Sequence, residues 1–234
     1  MNLKYIDVLD SLNLHVDGLY ERFETKLVKD KLNKGDVFID VGAHIGYYSV
    51  LAAECVGSEG VIYSFEPEPE NARLLRMNAV TGGYLNVHVY QNAISDFIGK
   101  ADLYLNKGNS GDHRLFNTPG RESIEVDVIS LDEFLPLSNV MANFIKVDVQ
   151  GVECAVLHGA RELIQRSENI SILIEYSPKH LRLANSSGEE MIGLLKEMGF
   201  VIYMKRNNLL IPAVPERLKP YSNKHANLFC TREK

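Results

Sequence analysis

The stretch Asp40-Val-Gly-Ala-His-Ile-Gly46 lies directly behind the apolar run Val37–Val41. An acid therefore ends a strand, and a glycine-containing turn leads straight into a helix. Such a junction suits an adenosine-containing ligand, and its spacing narrows the choice. In the dinucleotide fingerprint G-x-G-x-x-G, the glycines bring backbone against a pyrophosphate at the helix N-terminus. Counting from Gly42, His44 and Tyr47 stand where the second and third glycines belong, so that fingerprint is absent. The pattern present is acid-x-G-x-x-x-G. It sets the Asp40 carboxylate beside the turn residues Gly42, Ala43, His44, Gly46 and Tyr47, where it suits a positively charged amino group better than a phosphate. S-adenosylmethionine carries such a group. A plain strand-to-helix turn capped by Asp40 would use the same residues, so the rest of the chain must decide.

Glu66 ends the next apolar run, Ile62-Tyr-Ser-Phe-Glu-Pro67. An acid at the end of a second strand can accept hydrogen bonds from both ribose hydroxyls of an adenosine. Asn92-Ala93 follows the third strand and would lie beside the adenine, although turn chemistry also explains an asparagine there. The segment Phe144-Ile-Lys-Val-Asp-Val-Gln-Gly-Val-Glu153 ends a fourth strand on Asp148, next to the first strand, where the reactive end of the cofactor belongs. Gly151 permits a sharp exit into a helix whose first turn holds Glu153, a position acids favour in any helix. Strand, glycine turn, helix, strand and acid form a joint constraint, and open α/β sheets bind ligands at the C-terminal strand ends.

These residues need an alternating scaffold. Period-two apolar runs predict strands at Val37–Val41, Val61–Phe65, Val87–Tyr90, Asn143–Val147 and Ile170–Glu175. Helical periodicity marks Tyr20–Leu32, Tyr47–Cys55, Glu68–Val80, Val152–Arg166 and Glu189–Met198. Pro67 and Pro69 sit in the turn and first helical positions, and Gly82-Gly83 ends the helix that follows. Alternation of this kind predicts a parallel sheet with helices on both faces. Two strand pairs interrupt it: Ala101–Leu105 with Ile124–Ile129, separated by the polar loop Lys107–Glu122, and Phe200–Met204 with Ala226–Thr231, joined by a long proline-containing connection. The expectation is a single domain over 1–234, with a helical lead-in over 1–34 and a β insertion over 100–130.

Composition narrows the partners. The 234 residues are 45% hydrophobic with a formal charge of −6, which disfavours a nucleic-acid surface built on clustered Lys and Arg. Cys55, Cys154 and Cys230 lack C-x-x-C spacing and suit buried thiols of a reducing compartment. No signal-peptide core or membrane-length apolar run is visible, so a cytoplasmic protein without membrane contact is expected.

The blocks FIDVGAHIGYYS, YSFEPEPENARLLRMN and IKVDVQGVECAVLHGA together resemble the FkbM-type methyltransferases, from about Tyr20 to Tyr203. The resemblance implies a class I methyltransferase fold: a Rossmann-like α/β architecture with a seven-stranded, mostly parallel sheet, an antiparallel C-terminal hairpin and a small β insertion after the third strand. It implies S-adenosylmethionine as cofactor and S-adenosylhomocysteine as product. The implied acceptor is a hydroxyl of a sugar or other natural-product small molecule. Cofactor roles fall to Asp40, Gly42, Gly46 and Glu66, and an active-site place to Asp148 and Glu153. Two residues depart from the family pattern: His44 stands where Asn is common, and Gln150 replaces the commoner Glu of the D-x-E-G block.

A hydroxyl acceptor needs a general base. Asp148, Glu175 at the end of its strand, and His113 in the insertion loop are candidates, and Arg114 beside His113 could grip an anionic substrate. His15, His88, His158, His180 and His225 read as surface or packing residues. Asp148, Glu153 and Glu175 could gather magnesium, but no motif requires a metal. Tyr20, Phe23 and Leu27 would pack the N-terminal helix on the domain, and Glu21 and Arg22, which flank that stripe, could close over the cofactor's amino-acid end. The rival readings are a nicotinamide-dependent oxidoreductase and a non-catalytic cofactor-binding module. No motif in the loops Lys107–Glu122, Lys179–Gly188 or Asn207–Lys224 names the acceptor.

Overall fold

The computed structural model describes residues 20–232; the expectation for His15 lies outside them. Helix α1 (Arg22–Lys31) precedes β1 (Val37–Val41), α2 (Tyr47–Val56), β2 (Val61–Phe65), α3 (Pro69–Gly82) and β3 (Val87–Tyr90). A small sheet follows from β4 (Ala93–Ile94), β5 (Gly99–Tyr104) and β6 (Ser123–Ile129), in the order β4-β6-β5. The main sheet resumes with β7 (Phe144–Val147), α4 (Glu153–His158), α5 (Arg161–Arg166), β8 (Ser171–Tyr176), α6 (Pro178–Leu183) and α7 (Gly188–Glu197). It closes with β9 (Val201–Arg206), β10 (Leu209–Pro212), the short α8 (Pro215–Leu218) and β11 (Ala226–Thr231). The order is β10-β9-β11-β8-β7-β1-β2-β3, parallel from β8 to β3 and antiparallel where β11 enters between β8 and β9.

The main sheet thus has eight strands rather than seven. The extra one, β10, pairs antiparallel with β9 through the two-residue turn Asn207-Asn208, both at positive φ (50° and 59°). A two-residue turn of this kind matches the twist of its strands, and Asn tolerates it. The helix expected over Val152–Arg166 is also two helices. The break falls at Gly159 and Ala160, where the chain runs so close to Ser95 that a side chain on Gly159 would meet its carbonyl at 2.0 Å. The second helix is capped from outside: Asp132 accepts the Glu162 and Leu163 amides at 2.9 and 2.8 Å.

Strand parity sorts the core into two layers. Phe38, Ile62, Phe144, Leu173 and Phe229 pack under α1 and α2 with Leu27, Val28, Tyr48 and Leu51. Ile39, Val41, Ile145, Val147, Ile172 and Ile174 pack on the other face against α4, α5 and α7. Cys154 and Cys230 are buried free thiols, and Cys55 is half-buried. Among the described residues no helix is long and apolar enough to cross a membrane.

The turn from β7 into α4 is held by a buried acid. Glu153 is fully buried; one carboxylate oxygen accepts the Gly151 amide at 3.0 Å and the other has no partner. Burial pushes its carboxyl up to about 7, against 4.5 for an ordinary glutamate. The folded chain therefore keeps a proton that the unfolded chain releases, and Glu153's contribution to stability falls as pH rises from 4.5 through 7. Glu153→Gln should remove this slope, which is worth on the order of a few kcal/mol across that window. Thermal melts of both proteins between pH 4.5 and 8 check it: the wild type should lose melting temperature more steeply, and parallel curves would refute the assignment.

Candidate functional site

The C-terminal ends of β1, β2, β7 and β8 border a cavity of about 380 Å³. The strand parity that builds the α2-side core also sets a row of polar groups on the same face, some in the cavity wall and some behind it. Two residues beyond Phe38, Ile62, Phe144 and Leu173 stand Asp40, Ser64, Lys146 and Glu175, and Glu66 and Asp148 follow two further on.

Of the residues singled out in the sequence, Gly42, Ala43, His44, Tyr47, Glu66, Asn92, Ala93, His113, Asp148 and Glu175 line the cavity. Gly42 lies at φ 76°, and a side chain there would meet the Asp148 carbonyl at 1.9 Å, so the turn passes directly over the end of β7. Gly46 does not reach the cavity; at φ 89° it lets α2 pack on Leu75 of α3. Asp40 also lies elsewhere than expected. It is fully buried beneath the turn, because its position on β1 points it at α2, where Ser49 donates to it at 2.6 Å and Ser64 donates in turn to Ser49 at 2.8 Å. Burial pushes the Asp40 carboxyl up, opposed by the nearby Lys146 ammonium. Glu153 is likewise behind the cavity wall, turned back onto Gly151.

Glu66 is set in place by backbone. Its two oxygens accept the His44 amide at 2.8 Å and the Glu68 amide at 3.0 Å. Burial carries its carboxyl up to about 7 despite these bonds. Each oxygen keeps lone-pair capacity toward the cavity, which suits a vicinal diol. Phe65, Pro67, Ala93, Ile94 and Leu103 add an apolar wall with Asn92 at its side. His44, at φ 50°, contributes more than its backbone: its Nε2 lies 2.7 Å from Ser110 Oγ in the insertion loop. That loop folds over the glycine turn and is organised by Asp112, which takes hydrogen bonds from Asn106, Arg114 and Arg121. Burial raises the Asp112 carboxyl, but these three donors outweigh it and the net shift is downward.

His113 lines the cavity with its Nδ1 occupied by the Asn106 amide at 3.0 Å. In the neutral ring the hydrogen then sits on Nε2, making His113 a donor rather than a base. Burial lowers its pKa further, which favours the neutral form. Asp148 is clamped by Lys146 at 3.2 Å and by the Gln150 amide at 2.8 Å. The departure from Glu at 150 thus supplies a donor where a second acid would repel. Asp40, Glu153 and Glu175 each have a buried carboxylate oxygen without a partner, but of the three only Glu175 lines the cavity. Burial, then the charges of Asp148 and Glu153, hold its carboxyl well above the usual carboxylate range.

Several lining residues escaped the sequence reading. Lys146 is buried among Asp40, Asp148 and the Tyr48 ring, its ammonium 4.9 Å from the ring centre. Its alternation with Asp148 was the available signal. His180 and His225, expected as surface or packing residues, also line the cavity, because α6 and the start of β11 converge there. Glu21 lines the cavity, accepting from Tyr48 at 2.7 Å and Asn227 at 3.0 Å, whereas Arg22 is not among the lining residues. Among the described residues no group of three His, Cys, Asp or Glu side chains is arranged to hold a metal.

The comparisons with known proteins identify the family. The model of the Methyltransferase FkbM domain matches residues 40–202. A Sulfolobus acidocaldarius protein named "Probable cobalt-precorrin-6B C(15)-methyltransferase (decarboxylating)" is 30% identical over 179 residues, covering 76% of this chain and 83% of the relative. The hexuronic acid methyltransferase AglP of Haloferax volcanii is 25% identical over 191 residues, covering 78% and 76%. Two solved structures share the fold. The FkbM methyltransferase of Methylobacillus flagellatus has a TM-score of 0.52 at 16% identity, over 94% of this chain and 52% of that one. A Streptococcus mutans protein in complex with S-adenosylhomocysteine has a TM-score of 0.54 at 9% identity, over 91% and 97%. The acid and apolar wall fit an adenosine, and the family match covers the glycine turn, Glu66 and Asp148: the chain belongs to the FkbM methyltransferase family and is an S-adenosylmethionine-dependent methyltransferase.

Proposed function

We propose that this methyltransferase acts on a hydroxyl of a sugar or sugar-like small molecule, with Glu175 as the general base. The observation that carries the reading is Glu175 itself, a carboxyl lining the cavity with a buried oxygen that no protein donor reaches. An alcohol is a poor nucleophile until its proton is removed, so an acid left open toward the acceptor has a task there. Kinship to a hexuronic acid methyltransferase supports a sugar.

In this reading Glu66 holds the ribose, Asn92 and the wall of Phe65, Ala93 and Ile94 hold the adenine, and the Gly42–Ile45 turn runs along the cofactor. Asp148, fixed by Lys146 and Gln150, receives the cofactor's ammonium. When bound, S-adenosylmethionine supplies an electrophilic methyl group on a positively charged sulfur. The protein aligns the acceptor oxygen with that methyl and excludes water, since in-line displacement depends on alignment. Glu175 takes the hydroxyl proton on its carboxylate. Its raised pKa leaves it protonated in the apo cavity at neutral pH, and a cation bound beside it draws it toward the ionised form.

Glu175→Gln should lower turnover by about 100-fold or more while leaving S-adenosylhomocysteine affinity within a few-fold, because general-base catalysis is worth about 10²–10⁴. Wild-type turnover should climb with pH through neutrality as Glu175 ionises, and the variant should lose that limb. An unaltered pH profile in Glu175→Gln would eliminate Glu175 as the base. Glu66→Gln should instead weaken S-adenosylhomocysteine by roughly tenfold to a hundredfold, the worth of hydrogen bonds to a charged acceptor, as read by calorimetry. Transfer of a ¹³C-labelled methyl, followed by NMR of the product, tests the acceptor atom: a methoxy signal is expected, and a carbon- or nitrogen-bound methyl would overturn the hydroxyl reading.

A further inference from the structure

Most polar groups at the Asp148 end of the cavity are already satisfied within the protein. Glu21 is bonded by Tyr48 and Asn227, and Asp148 by Lys146 and Gln150. Among the groups not so satisfied are the Glu175 carboxyl, a guanidinium nitrogen of Arg114, and a ring nitrogen of His180. Arg114 donates through Nε to Asp112 at 2.7 Å and through Nη2 to His180 Nε2 at 3.0 Å, and its Nη1 bonds to nothing among the described residues. A guanidinium can only donate, so His180 Nε2 must accept, and the neutral ring carries its hydrogen on Nδ1. That Nδ1 is buried and has no partner.

Position and charge point the same way. His180 packs against Gly151, whose missing side chain would meet the His180 carbonyl at 2.8 Å, so it stands beside the turn that follows Asp148. His225 comes from the start of β11, two residues before Asn227, which pairs with Glu175 across the sheet. Asp112 is shared between Arg114 and Arg121, and Arg114 is the cation of this loop that reaches the cavity. Burial and the adjacent Arg114 keep His180 neutral, so it adds a donor and not a second charge. A neutral acceptor would use Glu175 and leave the cationic Arg114 and the neutral His180 donor idle.

We infer that the acceptor also carries a carboxylate, held by Arg114 and His180, while its hydroxyl meets Glu175. Resting on the proposed hydroxyl methylation, this narrows the substrate to a hydroxy acid of sugar size, a hexuronate in the simplest case. The planar fork of Arg114 suits a carboxylate in a way a lysine ammonium cannot reproduce. Arg114 and His180 act as specificity residues, and the carboxylate is a handle and not the methylated atom.

The test uses the full chain loaded with S-adenosylhomocysteine and titrated by calorimetry with glucuronate, galacturonate and mannuronate, each against its neutral hexose. At least one hexuronate should bind about tenfold or more tighter than its neutral partner, the scale of one charge-assisted contact. Arg114→Lys, which keeps the charge beside Asp112, and His180→Phe should each erase that preference and leave S-adenosylhomocysteine affinity unchanged. Equal binding of hexuronates and hexoses, or no hexuronate binding while S-adenosylhomocysteine binds normally, would overturn the inference and leave the methyltransferase intact. Failure of the wild type to bind S-adenosylhomocysteine would instead overturn the cofactor site. Mild alkali separates the remaining case: a methyl released as methanol marks an ester on the carboxylate, which would refute the handle role, whereas a retained ether supports it.

Discussion

The buried ammonium of Lys146 is the interaction on which the site depends. It stands in register with Asp40 on β1, 3.2 Å from Asp148 at the end of its own strand, and 4.9 Å from the centre of the Tyr48 ring. A lone charge in such a place would cost several kcal/mol, and so would the carboxylates around it. Burial pushes the Lys146 pKa down, but Asp148 and then Asp40 outweigh it and raise it above the ordinary value. One cation thereby makes two acids tolerable: one beneath the glycine turn and one lining the cavity at the end of β7. Tyr48 extends the set to the roof through its hydrogen bond to Glu21, which Asn227 ties to β11.

Backbone strain is concentrated around the same space. Six described non-glycine residues have positive φ, and Asn185, Asn207 and Asn208 are of the type that tolerates it. The other three, Glu21, His44 and Gln150, all line the cavity. Each is held there by a contact that the strained conformation makes possible. Glu21 receives Tyr48 and Asn227, His44 presents its amide to Glu66 and its ring to Ser110, and Gln150 turns its amide onto Asp148. Local strain that persists only because surrounding contacts fix it is the usual mark of a preorganised site.

Much of this was legible in the sequence because it rests on short-range patterns. The β1–α2 and β2–α3 junctions follow from strand parity, glycine positions and proline at a helix start, all local signals. Glu66 and Asp148 at strand ends needed only that frame. Asp40 misled because the same parity that placed it at a strand end also turned it toward α2, and a helix face is not visible in a seven-residue motif. The Val152–Arg166 helix misled because its break falls where Gly159 meets the distant Ser95 backbone. The Asn-Asn turn did announce β10, but the prolines flanking the segment masked it. His180 and His225 were illegible for a plainer reason: they carry no motif, and only the convergence of α6, β11 and the insertion loop brings them to one cavity.

The acids show how environment divides one side-chain chemistry into several tasks. Asp40 is answered by a serine hydroxyl behind the wall, Glu66 by two backbone amides, and Asp148 by an ammonium and an amide. Each of these sets of donors fixes an orientation, as a binding group requires. Glu175 receives no donor and lies among like charges, so its protonation is the one most open to change by whatever enters the cavity. A group that must bind wants its hydrogen bonds made in advance, and a group that must take a proton wants one left open. On that criterion Glu66 and Asp148 are suited to binding. In the proposed mechanism the acid left for proton transfer is Glu175, a choice that rests on the satisfied contacts of its neighbours as much as on its own position.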